Sequence, residues 1–120
     1  MSSKFELTPA QKVAVNLRGH TMLVSAAAGS GKTAVLTKRI IELVTDSKNA
    51  VDVSEMLVVT FTKAAATELK ERISNAVFSA LKDDPTNKHL SNQLLKLGKS
   101  KICTIHSFCA DLVRNNFQNL

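Results

Sequence analysis

The sequence predicts an α/β fold, a parallel sheet flanked by helices, and two observations predict it. Three short apolar runs, at residues 21–25, 56–60 and 101–104, have the length of strands. Each is followed by a segment whose apolar residues recur at three- and four-residue spacing, the period of an amphipathic helix. Strands alternating with helices need crossover connections. These make the sheet parallel and put ligands at the carboxyl ends of its strands. With about three strands the sheet is expected to be incomplete, although 120 residues suffice for a modest core.

The elements follow in order. Thr8 suits a helix N-cap, Pro9 the first helical position, and Gln11 stands where a capping box places its glutamine. This first helix ends before Gly19, and residues 21–25 form the first strand. A second helix reaches about Thr45, with Val35, Leu36, Ile40, Leu43 and Val44 on its apolar face and Lys38, Arg39 and Glu42 solvated. A polar loop at 46–54 leads into a second strand at 56–60, read as buried. A long helix over 63–81 carries Ala65, Leu69, Ile73, Val77 and Leu81 at four-residue spacing, and Asp83-Asp84-Pro85 stops it. A helix over 86–97 stops at Gly98. The third strand at 101–104 precedes a last helix with Phe108, Leu112, Val113 and Phe117 on one side.

Composition narrows the function classes. Hydrophobic residues make up 44% and charged residues 22%, an ordinary soluble balance. No apolar run approaches the ~20 residues of a membrane span, and residues 1–6 contain no secretory h-region. Cys103 and Cys109 make neither a disulfide framework nor a metal cluster, and both are expected to pack as small apolar residues in a reducing cytoplasm. Sixteen Lys and Arg against ten Asp and Glu give a net charge of +6, which suits a polyanionic partner. With no Trp or Tyr and five Phe, any base-stacking surface is built sparingly.

The run Ala26-Ala27-Ala28-Gly29-Ser30-Gly31-Lys32-Thr33 lies between a strand and a helix. A turn of this kind aims successive backbone N–H groups at phosphate oxygens, and the helix that follows adds the positive end of its dipole. Gly29 and Gly31 allow close backbone approach. Lys32 is a cation with reach to the β- and γ-phosphates of ATP, and Thr33 offers a hydroxyl to Mg²⁺. The general pattern begins with Gly where this chain has Ala26, a departure of one methyl group. The alternative is a helix-entry turn with an incidental lysine.

Four motifs in order carry a resemblance: LTPAQ, AAAGSGKT, VVTFTKAAATELKERI and ICTIHSFC. Together they resemble the superfamily 1A helicases, over residues 5–117. Within that group the chain is similar to the AddA-type ATP-dependent helicase/nuclease subunits of double-strand-break repair, more than to UvrD/Rep-type repair helicases. The segments KERISNAVFSAL and HLSNQLLKLGKSKICTIHSFCADLVRNNF point that way, as does alanine at Ala27, where UvrD-like proteins usually carry glycine. The resemblance implies a P-loop NTPase (RecA-like) fold, with residues 1–120 as the amino-terminal portion of the first motor domain.

Roles follow motif by motif. Gln11 matches the glutamine that reads the adenine edge, its alternative being the capping box alone. Phe61, Thr62 and Lys63 match a motif that touches single-stranded DNA. An aromatic ring there stacks on a base and a hydroxyl or N–H holds a phosphate, whereas the alternative for Phe61 is a core position under the sheet. Many relatives have Asn at Lys63. Thr104, His106 and Ser107 match a motif lining the DNA groove, the alternative being a helix cap and a satisfied surface histidine. UvrD-like relatives often place Arg at Ala34, so that nucleotide contact is not carried over. Lys96, Lys99 and Lys101 read as a solvated face.

The resemblance further implies ATP and Mg²⁺ as cofactors. The partners it implies are single- and double-stranded DNA and an AddB-like subunit, with no membrane and a cytoplasmic location. The acidic strand-end pair of such motors, their transition-state arginines, second motor domain and nuclease domain have no counterpart here. Asp83-Asp84 reads as a helix stop. The expectation is therefore a piece of a longer enzyme, with the 120-residue chain inactive alone. A free-standing nucleotide- or DNA-binding module without catalysis stays open.

Overall fold

The computed structural model describes residues 7–22 and 32–119, without the side chains of Lys32 and Asn119. Its elements are α1 (Pro9–Asn16), α2 (Lys32–Thr45), a 3-10 turn (Val53–Glu55), β1 (Leu57–Thr60), α3 (Lys63–Asp83), α4 (Lys88–Leu97), β2 (Lys101–Thr104), α5 (Ile105–Asn115) and a closing 3-10 turn (Phe117–Asn119). β1 and β2 pair in parallel, Leu57 opposite Lys101 and Thr60 opposite Thr104. The α/β class and the parallel sheet are thus as expected, with two strands among the described residues. Of the first expected strand, Thr21 and Met22 are not in a strand, and 23–25 lie outside the described residues.

α3 is the centre of the packing. It bridges the two strands, as a parallel pair requires, and also packs on α2 and α4. Its four-residue apolar spacing buries Leu69, Ile73 and Val77 against Ile40 and Val44 of α2, Leu90 and Leu97 of α4, and Ile102 of β2. The Thr62 hydroxyl starts the helix by accepting from Ala65 N–H at 3.1 Å. α4 starts two residues later than expected, at Lys88, because Asn87 supplies the cap, accepting from Leu90 N–H at 3.1 Å. Gly98 at its end has φ −63°, a right-handed conformation open to any residue.

The loop at 46–54 is more structured than its polarity suggests. The Gln93 side chain is 1% exposed, and its Oε1 accepts from Val53 N–H at 2.7 Å. Asp52 receives Lys96 Nζ at 2.6 Å and Gln93 Nε2 at 3.2 Å. Lys96, and then Ser54, hold the Asp52 carboxyl well below the usual carboxylate range. Lys96 is exposed, as a solvated face implies, and also tethers this loop. His89 Nε2 lies 2.9 Å from Val44 O, tying α4 to the end of α2.

A second, smaller cluster joins Ala14 and Val15 of α1 to Val35 of α2, with Leu7 and Met22 against it. Two arginines strap α1 to α2. Arg39 Nη1 donates to Ala14 O at 2.9 Å, so Arg39 is engaged and not solvated. Arg18 donates to Asn49 O at 2.6 Å and to Asp46 Oδ2 at 3.0 Å. Backbone N–H groups of Lys48 and Asn49, together with Arg18, lower the Asp46 pKa. Gly19 has φ +77°, left-handed backbone that suits glycine where the chain turns away from α1.

Two expectations of burial fail, for β1 and for the cysteines, and the apolar side of α5 is left uncovered. β1 turns only Val58 into the core, while Leu57 and Val59 are exposed. No residue of α5 is buried, and Leu112, Val113 and Phe117 are all exposed. Cys109 is exposed and Cys103 half-buried, so only Cys103 packs at all as expected. In each case apolarity predicts which surface favours burial, and the described elements supply nothing to cover it.

Candidate functional site at the carboxyl ends of the strands

Parallel pairing decides where the functional residues meet. Because Thr60 lies opposite Thr104, the chain leaves both strands at the same end of the sheet. Phe61-Thr62-Lys63 and Ile105-His106-Ser107 therefore emerge side by side. The two exits have the same construction. Thr62 caps α3, and Thr104 caps α5 by accepting from Ser107 N–H at 3.1 Å. Thr104 also donates to Ser107 Oγ at 2.9 Å, and Thr104 itself is buried. A further lock, not anticipated from sequence, is Thr60, whose hydroxyl donates to Thr62 O at 2.9 Å and fixes the turn.

The two motifs separate into residues that hold the backbone and residues that face outward. Thr62 and Thr104 spend their hydroxyls on caps, and Ser107 shares the second cap. Phe61 is 93% exposed among the described residues and is not packed under the sheet there. Lys63 and His106 are exposed in the first turns of α3 and α5. An aromatic face, a cation and an imidazole thus project from two adjacent helix N-termini, where backbone N–H groups favour an anion.

The start of α2 belongs to the same region. A recess of about 250 Å³ is lined by Thr33 and Leu36 of α2, by Val59 and Thr60 of β1, and by Phe61 and Thr62. Thr33 is exposed there, and its C=O accepts from Thr37 Oγ1 at 2.7 Å. The exposed Leu36 and Val59, expected as core, instead line this recess. Residues 26–31 lie outside the described residues, as does the Lys32 side chain. What is described fits a phosphate group: α2 begins at Lys32, so its first-turn N–H groups and the Thr33 hydroxyl stand at the rim of a recess. Among the described residues no group of three or more His, Cys, Asp or Glu is arranged to hold a metal.

Gln11 completes its capping box, with Thr8 N–H donating to its Oε1 at 2.9 Å and the Thr8 hydroxyl accepting from Gln11 N–H at 3.2 Å. The box uses the side-chain oxygen and leaves the amide N–H groups as donors. Gln11 is not among the recess residues.

The family model of the UvrD/REP helicase N-terminal domain matches residues 7–120. The chain belongs to that family. This UvrD-type domain is 57% identical over 110 residues to the A subunit of the ATP-dependent helicase/nuclease of Thermoanaerobacter sp. (strain X514), covering 92% of the chain and 9% of that protein. The protein of the same name from Clostridioides difficile (strain 630) is 52% identical over 113 residues, covering 94% of the chain and 9% of the relative. That of Clostridium acetobutylicum is 50% identical over 117 residues, covering 98% and 9%. The UvrD-type chain thus spans about a tenth of the length of these curated relatives. No described helix is long and apolar enough to cross a membrane.

Proposed function

We propose that this UvrD-type chain is the amino-terminal, ATP-binding part of the first motor domain of an AddA-type helicase/nuclease. Its core is a RecA-like P-loop fold, and the whole enzyme processes DNA double-strand breaks for recombinational repair in the cytoplasm beside an AddB-like subunit. The observation that supports it is the convergence of Thr33, Phe61-Thr62-Lys63 and Thr104-His106-Ser107 at one end of the parallel pair. The names of the similar proteins favour this over a UvrD/Rep-type repair helicase.

In this reading the N–H groups of residues 26–31 and of the first turn of α2 hold phosphate oxygens. Lys32 neutralises the β- and γ-phosphates, Thr33 is the hydroxyl for Mg²⁺, and Gln11 donates its free amide to adenine. ATP with Mg²⁺ supplies the transferable phosphoryl group when bound. Phe61 stacks on a base of single-stranded DNA, and Lys63, His106 and the two helix N-termini hold its phosphates. The residues needed to orient the attacking water have no counterpart in this chain, so the 120 residues alone do not turn over ATP.

Two substitutions in the full-length protein test the assignment. Lys32→Ala should abolish ATP turnover and unwinding with the fold intact, and wild-type turnover would refute the phosphate site. Phe61→Ala should weaken single-stranded DNA binding by about 1–3 kcal/mol without lowering ATP affinity.

A further inference from the structure

A second recess lies away from the strand ends, between α3, β2 and α5. It measures about 320 Å³ and shares no residue with the first. Its rim carries Lys70, Lys99 and Lys101, and its apolar wall is Ile102, Phe108 and Leu112. One carboxylate, Asp111, faces it, and Arg114 Nη1 already lies 3.5 Å from Asp111 Oδ1. Among the described residues no carboxylate lies within 4.0 Å of Lys70, Lys99 or Lys101. Three lysines from two segments thus converge on a hollow whose single acid is compensated. The phenyl ring of Phe108 is half-buried in the wall.

We propose that this recess is a second contact for a nucleic-acid strand, in which the three lysines hold phosphodiester oxygens and the Phe108–Leu112 wall receives a base. Charge selects the polyanion, because clustered cations gain affinity by releasing the counterions condensed on it. The apolar wall favours a flat, weakly hydrated group beside the phosphate, which a nucleotide unit provides. α5 makes the two places continuous. Its first turn carries His106 at the strand ends, and Asp111 and Asn115 wall the recess about 8 and about 14 Å further along at 1.5 Å per residue. A strand leaving Phe61 and His106 along α5 reaches the lysines within a few nucleotides. The inference rests on the nucleic-acid reading of the strand-end site and extends its footprint.

The test uses the full-length protein, an oligothymidylate as the probe, and the triple variant Lys70→Gln/Lys99→Gln/Lys101→Gln. Three lost phosphate contacts should flatten the slope of log K against log salt by about 2, at about 0.7 per contact for a single strand. At physiological salt this corresponds to an affinity loss of about 10- to 50-fold. The matching triple Arg variant should restore both affinity and slope, and a deficit that Arg does not restore would overturn the proposal. ATP turnover at saturating DNA should stay at the wild-type level. Unchanged affinity and slope in the Gln variant would overturn the second contact. A loss of AMP binding with oligothymidylate binding unchanged would assign the recess to a free nucleotide and overturn the strand reading. Phe61→Ala assayed beside it separates the two ideas. If Phe61→Ala weakens binding and the triple Gln variant does not, the strand-end site stands and only the second contact fails.

Discussion

α3 and α5 start alike and end differently. Each follows one strand of the parallel pair, α5 directly and α3 two residues on, and each is capped by a threonine hydroxyl on the N–H three residues on. Yet α3 buries Ala66, Leu69, Ile73 and Val77, while α5 buries nothing. A cap and a strand end decide where a helix begins. What lies on its apolar face decides how firmly it is held. The strand-end site therefore stands on one anchored helix and one that touches the domain mainly through β2.

The contrast is sharpest in truncations of apolar side chains. Ile73→Ala, at a site 0% exposed, should cost about 2–5 kcal/mol in denaturant unfolding. Leu112→Ala, at a site 53% exposed, should stay within about 0.5 kcal/mol. Equal costs would mean that α5 is buried in the full-length protein and would end the comparison. Next in size is Gln93→Leu, which leaves the buried Val53 N–H without its 2.7 Å acceptor and should cost about 1–3 kcal/mol. That loss belongs to the anchored side and should leave α5 exchange rates unchanged.

Smaller again are the caps. Thr62→Ala and Thr104→Ala each remove one N-cap, worth about 1 kcal/mol. Hydrogen exchange should show fraying confined to the first turn of α3 in the former and spread along α5 in the latter, because only α3 has a packed face downstream. The smallest effect is acid-dependent. The Asp52 carboxyl titrates below its unfolded value of about 3.9. Its contribution is complete above that value and is lost as pH falls through the depressed folded pKa. Asp52→Asn should therefore flatten the loss of stability below about pH 4, and an unchanged acid limb would show that Lys96 contributes nothing through it.

Local chemistry is legible in the sequence and tertiary cover is not. The Thr8–Gln11 box and the stop at Asp83-Asp84-Pro85 are set by neighbours within four residues, and both stand where expected. Apolarity alone assigns Leu36 and Val59 to the core, but which face an element covers depends on partners distant in sequence. The Asp52–Gln93–Lys96 network is invisible for the same reason, since it joins a polar loop to a helix about forty residues away. At the site, the motifs name the residues, but only the register of β1 on β2 reveals that two of them are neighbours. The division of labour within each motif, threonines holding backbone and Phe61 facing outward, needs the three-dimensional structure.

The arginine straps give α1 and α2 the character of a caliper. Arg39 grips the carbonyl end of α1 and Arg18 reaches the far end of α2, so the two helices are tied to each other at two points. If a nucleotide touches both Gln11 and Thr33, as proposed, it meets two helices tied in relative position. One that is too short leaves a jaw unfilled, and lengthening it cannot be accommodated by sliding the helices. Selectivity for the size of a ligand would then come from two guanidinium groups that never meet it.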